Sequence, residues 1–264
     1  MWVSPGQTGR IPIESWREIL DQRHLIWISA NQSGNPRPVT CRAGLALDAA
    51  YNVKSRYRID DERIYVAGAS GGGRVSSMLG VAFPEIFSGG CYVIGCDFYR
   101  DLPSEEPGKF WIKSYLPPPA KYLSLAKSHS RHVLLTGETD PNRPQTKGNF
   151  AAMKTDGFKH LTYLEVPGMG HRPPEADWFD KALAALDEIP KVMPPAKLTT
   201  TPSDVPPAAD AAAEADKQLR AARLYVDHGL YPQARDRLHQ IITAYPRTVA
   251  AAAANKLLEE IPAE

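Results

Sequence analysis

Residues 64–73 read Ile64-Tyr65-Val66-Ala67-Gly68-Ala69-Ser70-Gly71-Gly72-Gly73, and their order decides the fold. A short apolar run gives way to glycines and then to a segment of small residues that continues to Ala82. This predicts a buried strand, a sharp turn and a helix, the setting that a G-x-S-x-G nucleophile turn requires. A serine at such a bend leaves no room for side chains two residues before and two after it, and Gly68 and Gly72 stand there. Ser70 is therefore the candidate nucleophile. The helix that follows begins with unpaired backbone N–H groups at the positive end of its dipole, so the Gly71 N–H is a candidate oxyanion donor. A phosphate-cradling loop would need G-x-G-x-x-G or a closing Lys-Ser/Thr pair, and this stretch has neither. A turn without chemistry is the other alternative.

Short apolar runs recur at residues 25–28, 64–67, 91–96, 132–136 and 161–166, each expected as a buried parallel strand. Helix-length segments lie between them at 13–22, 39–57, 72–82, 148–157 and 175–189. Alternation of this kind predicts a mostly parallel sheet with helices on both faces. Residues 1–4 would add a strand with no element before it. Residues 97–130 fit neither period and are expected as an irregular excursion over the sheet, rich in aromatics such as Phe98, Tyr99, Phe110, Trp111, Tyr115 and Tyr122. Trp111 and its neighbours could line an acyl pocket or simply pack the excursion down.

A nucleophilic serine needs a base and an orienting acid from loops after later strands. The run 161–166 ends in Pro167-Gly168-Met169-Gly170-His171, which puts His171 at the top of the sheet as the candidate base. His129, His132 and His160 flank strand starts and are expected at the bottom edge. The run 132–136 ends in Gly137-Glu138-Thr139-Asp140-Pro141, and Asp140 is the candidate acid, unless it serves as an Asx turn before Pro141. Asp97, after the preceding strand, is the rival acid, and Glu138 comes third. A second oxyanion donor is expected from Ser4-Pro5-Gly6-Gln7-Thr8-Gly9, at the Gly6 or Gln7 N–H. Arg74 could bind an acidic substrate group, but an exposed helix arginine is the commoner role.

The stretch Tyr57-Arg58-Ile59-Asp60-Asp61-Glu62-Arg63-Ile64 with the turn that follows resembles the elbow of polyhydroxybutyrate-depolymerase-like and feruloyl-esterase-like α/β hydrolases. The loops ending in Asp140 and His171 are similar to that superfamily's acid and histidine loops. The resemblance covers roughly residues 1–189. It implies an α/β-hydrolase three-layer sandwich that cleaves small carboxylic esters through an acyl-enzyme on Ser70, without cofactor or metal. Two departures stand out: Ser4-Pro5-Gly6-Gln7 replaces the usual His-Gly oxyanion loop, and the strands that normally precede that loop are expected to be missing.

Residues 190–208 turn to Pro, Thr, Ser and Lys, with prolines at 190, 194, 195, 202, 206 and 207, and are expected as a linker. Ala-rich helical sequence follows at 209–229, 231–245 and 249–261, a small all-α unit. Ala222, Tyr225, Gly229, Tyr231, Ala234, Leu238 and Pro246 fall at the spacings of a tetratricopeptide-type repeat, which this tail resembles. Ala222 and Ala234 would let two helices cross closely, Gly229 would reverse the chain and Pro246 would end the second helix. One such repeat cannot bury its faces alone, so residues 209–264 would dock on the first domain, self-associate or bind a protein partner.

The 264 residues carry 31 basic against 30 acidic groups, a net charge of +1, which argues against a counterion-driven grip on nucleic acid. No stretch approaches the roughly 18 apolar residues of a spanning helix. Residues 1–10 lack a basic region followed by an apolar run, although esterases of the resembled groups are often exported. Cys41, Cys91 and Cys96 are expected as small buried apolar residues, with no His or second Cys at a zinc-ligand spacing. Two competitors to an esterase follow from the same residues. A peptidase or acyl-aminoacyl hydrolase would use the same triad on amides, and a silent scaffold would recruit partners through the helical tail.

Overall fold

The structure is a computed structural model that describes residues 1–188, 208–227 and 231–262. Residues 190–207 of the expected linker and the expected chain reversal at Gly229 lie outside the described residues, and Ala208, expected as the linker's last residue, begins a helix. Contacts divide the chain into Met1–Pro194 and Pro195–Glu264.

The first unit runs β1 (Trp2–Val3), α1 (Trp16–Gln22), α2 (Val39–Arg56), β2 (Tyr65–Ala69), α3 (Gly71–Ala82), β3 (Gly89–Val93), β4 (Leu102–Pro103), β5 (Phe110–Trp111), α4 (Ala120–Ser128), β6 (Arg131–Gly137), α5 (Arg143–Thr155), β7 (His160–Val166) and α6 (Ala176–Asp187). Strands β1, β2, β3, β6 and β7 form one sheet in that order, and every pair is parallel. The register sets Ala69 beside Val93, Val93 beside Leu135 and Leu135 beside Leu164. The loops after these strands therefore emerge together on one edge.

Side chains alternate along a strand, and the core follows that period. Cys91, Val93, Val133 and Leu135 face Trp16, Phe179, Leu183 and Leu186 of α1 and α6. Tyr92 and Leu134 point the other way, toward Val81, Ala126, Ala152 and Met153 of α3, α4 and α5. Three layers result, with the sheet in the middle. Trp2, Trp16, Trp27 and Phe179 form an aromatic cluster on the first face, the Trp16 and Phe179 rings stacked at 3.9 Å. A cavity of about 320 Å³ opens beside it, at the start of β2. None of Ser70, Asp140 and His171 lines it.

Several expectations change. Residues 25–28 form no strand: Leu25 and Trp27 pack against the core and Ile26 is exposed, a strand's alternation. The segment joins the outer side of β1 through Trp2 N–H to Ile28 O at 2.7 Å, without a ladder of its own. The excursion 97–130 is more regular than expected. It holds the antiparallel pair β4 and β5, and α4 starts directly after Pro119, where a proline costs no helical hydrogen bond. Helix α5 begins at Arg143 rather than Gly148, with Pro144 in its first turn. Gly148 instead receives the Trp111 ring, since a Cβ there would stand 2.6 Å from Trp111 Cζ3. Trp111 thus packs the excursion onto α5. Cys91 and Cys96 are buried, on opposite faces, but Cys41 is only half-buried.

The second unit contains α7 (Ala208–Asp227), α8 (Tyr231–Ala244) and α9 (Val249–Glu260). Ala222, Ala234, Leu238, Ile241, Ala250 and Ala254 make its core, and the small residues let the helices approach closely. Thr248 caps α9, its hydroxyl accepting from the Ala251 N–H at 3.1 Å. Among the described residues no helix is long and apolar enough to cross a membrane.

Candidate active site

Ser70 sits between the last residue of β2 and the first of α3 with φ +53° and ψ −122°. A non-glycine residue there is strained by about 1–3 kcal/mol, and the surroundings must hold it. The Ser70 N–H donates to Val93 O at 2.9 Å, and the Arg74 N–H to Ser70 O at 3.1 Å. The glycines around it are required by contact. A Cβ at Gly68 would lie 2.5 Å from the Gly72 carbonyl, and one at Gly72 would lie 1.9 Å from Val3 O. Strand, bend and helix cross too closely for any side chain.

His171 follows β7 through a loop in which Gly168 takes φ +64°. Met169 is buried and anchors that loop. Its carbonyl accepts from the Thr139 N–H at 3.0 Å and the Thr139 hydroxyl at 3.1 Å, tying the histidine loop to the loop after β6. Glu138 adds a second tie, accepting from the Gly168 N–H at 2.8 Å. Asp140 lies in that second loop. Its Oδ1 accepts from the Asn142 N–H at 2.8 Å and its Oδ2 from the Thr136 hydroxyl at 3.4 Å. Asn142 in turn donates its Nδ2–H to Ile94 O at 2.8 Å, which pins the acid loop to the end of β3.

These loops bring the three side chains into line. Asp140 Oδ1 is 3.0 Å from His171 Nδ1, and His171 Nε2 is 2.9 Å from Ser70 Oγ. The Asp140 side chain is fully buried while that of His171 is 38% exposed. Water is kept from the carboxylate, and the imidazole faces the open side where a substrate would stand. With Nδ1–H donated to the carboxylate, Nε2 is left as an acceptor for the serine proton.

A hyperthermophilic esterase from the archaeon Pyrobaculum calidifontis superposes with a TM-score of 0.50 at 16% identity, over 70% of this chain and 72% of that one. The chain has the α/β-hydrolase fold. A thermophilic carboxylesterase cloned from a metagenomic library matches it equally, with a TM-score of 0.50 at 16% identity over 70% and 77% of the two chains. A poly(3-hydroxybutyrate) depolymerase of Ralstonia pickettii is 30% identical over 90 residues, 28% of this chain and 18% of the depolymerase. The match therefore spans less than a fifth of that relative. No family model matches the chain.

Within this α/β-hydrolase fold the other candidates occupy different ground. Asp97 is held by an ion pair to Arg74, by the Gln145 amide at 3.5 Å and by the Ser114 hydroxyl at 2.7 Å. Arg74 also reaches Gln145 Oε1 at 2.8 Å, so its charge is met within the protein. The pair fastens the excursion to the elbow helix. His132 is the second residue of β6, near its start, and is buried against the Tyr92 hydroxyl at 2.7 Å. His160 bonds Ser128 O at 3.1 Å and His129 meets the Ser128 hydroxyl at 2.6 Å, both near strand starts. The loop after β1 packs beside the elbow, where a Cβ at Gly72 would also be 3.4 Å from Pro5 N. In it the Gly6 N–H donates to Ser4 Oγ at 3.1 Å, and Gln7 O accepts from the Gln32 N–H at 2.7 Å.

Sequence reasoning missed Arg42. This arginine of α2 is 3% exposed and donates Nε–H to Ser33 O at 2.7 Å and Nη2–H to Ser4 O at 3.0 Å. It clamps the loop after β1 to residues 29–38. Burial lowers its pKa from the ordinary guanidinium value. The signal was a charge among Thr40, Ala43, Ala46 and Leu47 on the helix's buried face. Among the described residues no group of three or more His, Cys, Asp or Glu side chains could hold a metal ion.

Proposed function

We propose that this chain is a serine hydrolase that cleaves carboxylic esters through an acyl-enzyme on Ser70. The observation that carries the reading is the unbroken hydrogen-bond chain from Asp140 through His171 to Ser70. In the first step Ser70 Oγ bonds to the ester carbonyl carbon, its proton passes to His171 Nε2, and the carbonyl electron pair moves onto oxygen. Asp140 holds the imidazole in the tautomer this needs and stabilises the imidazolium that forms. The Gly71 N–H, at the start of α3, donates to the oxyanion. Collapse breaks the bond to the alcohol, which leaves with the proton from His171. Water then repeats the sequence on the acyl-enzyme.

An ester is preferred to an amide because the esterase neighbours and the depolymerase relative all carry ester-cleaving names. The test is turnover of short-chain p-nitrophenyl esters beside p-nitroanilides, with fluorophosphonate labelling of the active serine. Ser70→Ala is expected to lose labelling and about a million-fold of ester turnover, and Asp140→Asn about 10⁴-fold. Labelling that persists in Ser70→Ala overturns the assignment. Faster anilide than ester cleavage moves the substrate to peptides.

A further inference from the structure

We infer that the side chain of Asn35 is the second oxyanion donor of this site. The inference rests on the acyl-enzyme reading above and adds to it a group that neither the elbow nor the loop after β1 contains. A tetrahedral oxyanion is stabilised by donors about 2.7–3.1 Å away, and removal of one such donor characteristically costs about 10²–10³ in kcat. Gly71 offers a backbone N–H. The Gly6 N–H, expected beside it, is already committed to Ser4 Oγ at 3.1 Å.

Asn35 occupies the space next to Gly71. A Cβ built on Gly71 would stand 2.3 Å from Asn35 Oδ1 and 3.0 Å from Asn35 Nδ2. The carboxamide of residue 35 thus fills the place where a side chain on residue 71 would project, one residue from the nucleophile. Asn35 is exposed, and its carboxamide makes no hydrogen bond among the described residues. Half a turn about Cβ–Cγ exchanges Oδ1 for Nδ2 and presents an N–H to a ligand.

The backbone that carries this group is fixed rather than free. The Asn35 N–H donates to Pro5 O at 2.9 Å, and Gly34 lies so close to Gly6 that a Cβ there would be 2.9 Å from the Gly6 carbonyl. Arg42 holds Ser33 O on one side of Asn35 and Ser4 O on the other loop. With the backbone held, rotation of the carboxamide alone is needed to turn Nδ2–H toward the developing charge. As Ser70 Oγ bonds to the carbonyl carbon, the electron pair moves onto the carbonyl oxygen and Asn35 Nδ2–H and Gly71 N–H both donate to it. No proton leaves Asn35.

Asn35→Ala and Asn35→Asp in the full chain test this. Both are expected to lower kcat on a p-nitrophenyl ester about 10²–10³-fold with KM within about threefold. Inhibition by an aryl trifluoromethyl ketone, whose adduct with Ser70 carries an oxyanion, should weaken by the same factor in Asn35→Ala. The number of sites titrated by a fluorophosphonate and the melting temperature should stay at the wild-type level. A kcat within about threefold of wild type in Asn35→Ala overturns the inference, as does a fall matched by fewer titratable sites. Turnover that survives Ser70→Ala defeats the underlying reading instead, so the two failures are told apart.

Discussion

His132 carries an imidazole into the sheet's interior, where Tyr92 Oη at 2.7 Å and Ala126 O at 3.3 Å are its partners. Burial pushes its pKa down to about 4. An unfolded histidine takes up its proton near pH 6.5, so between these values the unfolded chain holds a proton that the folded chain lacks. Stability therefore rises with pH through that window and is lost as pH falls from about 6.5 toward 4, by about 3 kcal/mol in all. Urea unfolding at pH 7 and pH 4.5 should show most of this loss, and His132→Asn should have the shallower dependence by about one proton. An unchanged slope would show that residue 132 is not the group involved. At this scale the sequence was legible where a residue's position follows from its place after a strand: Ser70, Asp140 and His171, read from three separate loops, lie together as hydrogen-bonded neighbours. It was not legible for Asn35, because nothing local in residues 29–38 announces which loop they will pack against.

At the scale of elements, Arg42 shows how a helix can position two loops that share no strand. Arg42→Met keeps the length of the side chain and deletes three things: the charge and two hydrogen bonds to carbonyls. With Ser4 O and Ser33 O left without these donors, the expected loss is about 3 kcal/mol, read as a lower denaturant midpoint. Ester kcat should fall with it while Asp140→Asn leaves the midpoint nearly unchanged. Equal midpoints for Arg42→Met and wild type would refute the clamp. Element type was legible wherever an apolar run was long enough to keep a period, as in β2, β3, β6 and β7. Residues 25–28 had the right alternation but meet β1 through the Trp2 N–H to Ile28 O bond and no ladder, so pattern without pairing gave no strand. Helix α4 was hidden behind the Pro117–Pro119 run because Ala126 alone of its residues is buried, leaving little amphipathic signal.

For the whole molecule, alternation of strand and helix was sufficient to reach a parallel sheet in three layers, since a parallel pair requires a crossover and the crossover supplies the outer layers. The two units have separate cores, one around the sheet and one built from α7, α8 and α9. Cores that share no side chains can melt apart, and urea or heat should reveal two steps in far-ultraviolet circular dichroism. A single step by every probe would contradict this. The aromatic cluster around Trp16 gives the experiment its contrast. All five tryptophans, Trp2, Trp16, Trp27, Trp111 and Trp178, precede residue 195. Indole fluorescence thus watches the first unit and is blind to the second, so the difference between the emission curve and the dichroism curve isolates the second unit's own unfolding without a label or a truncation.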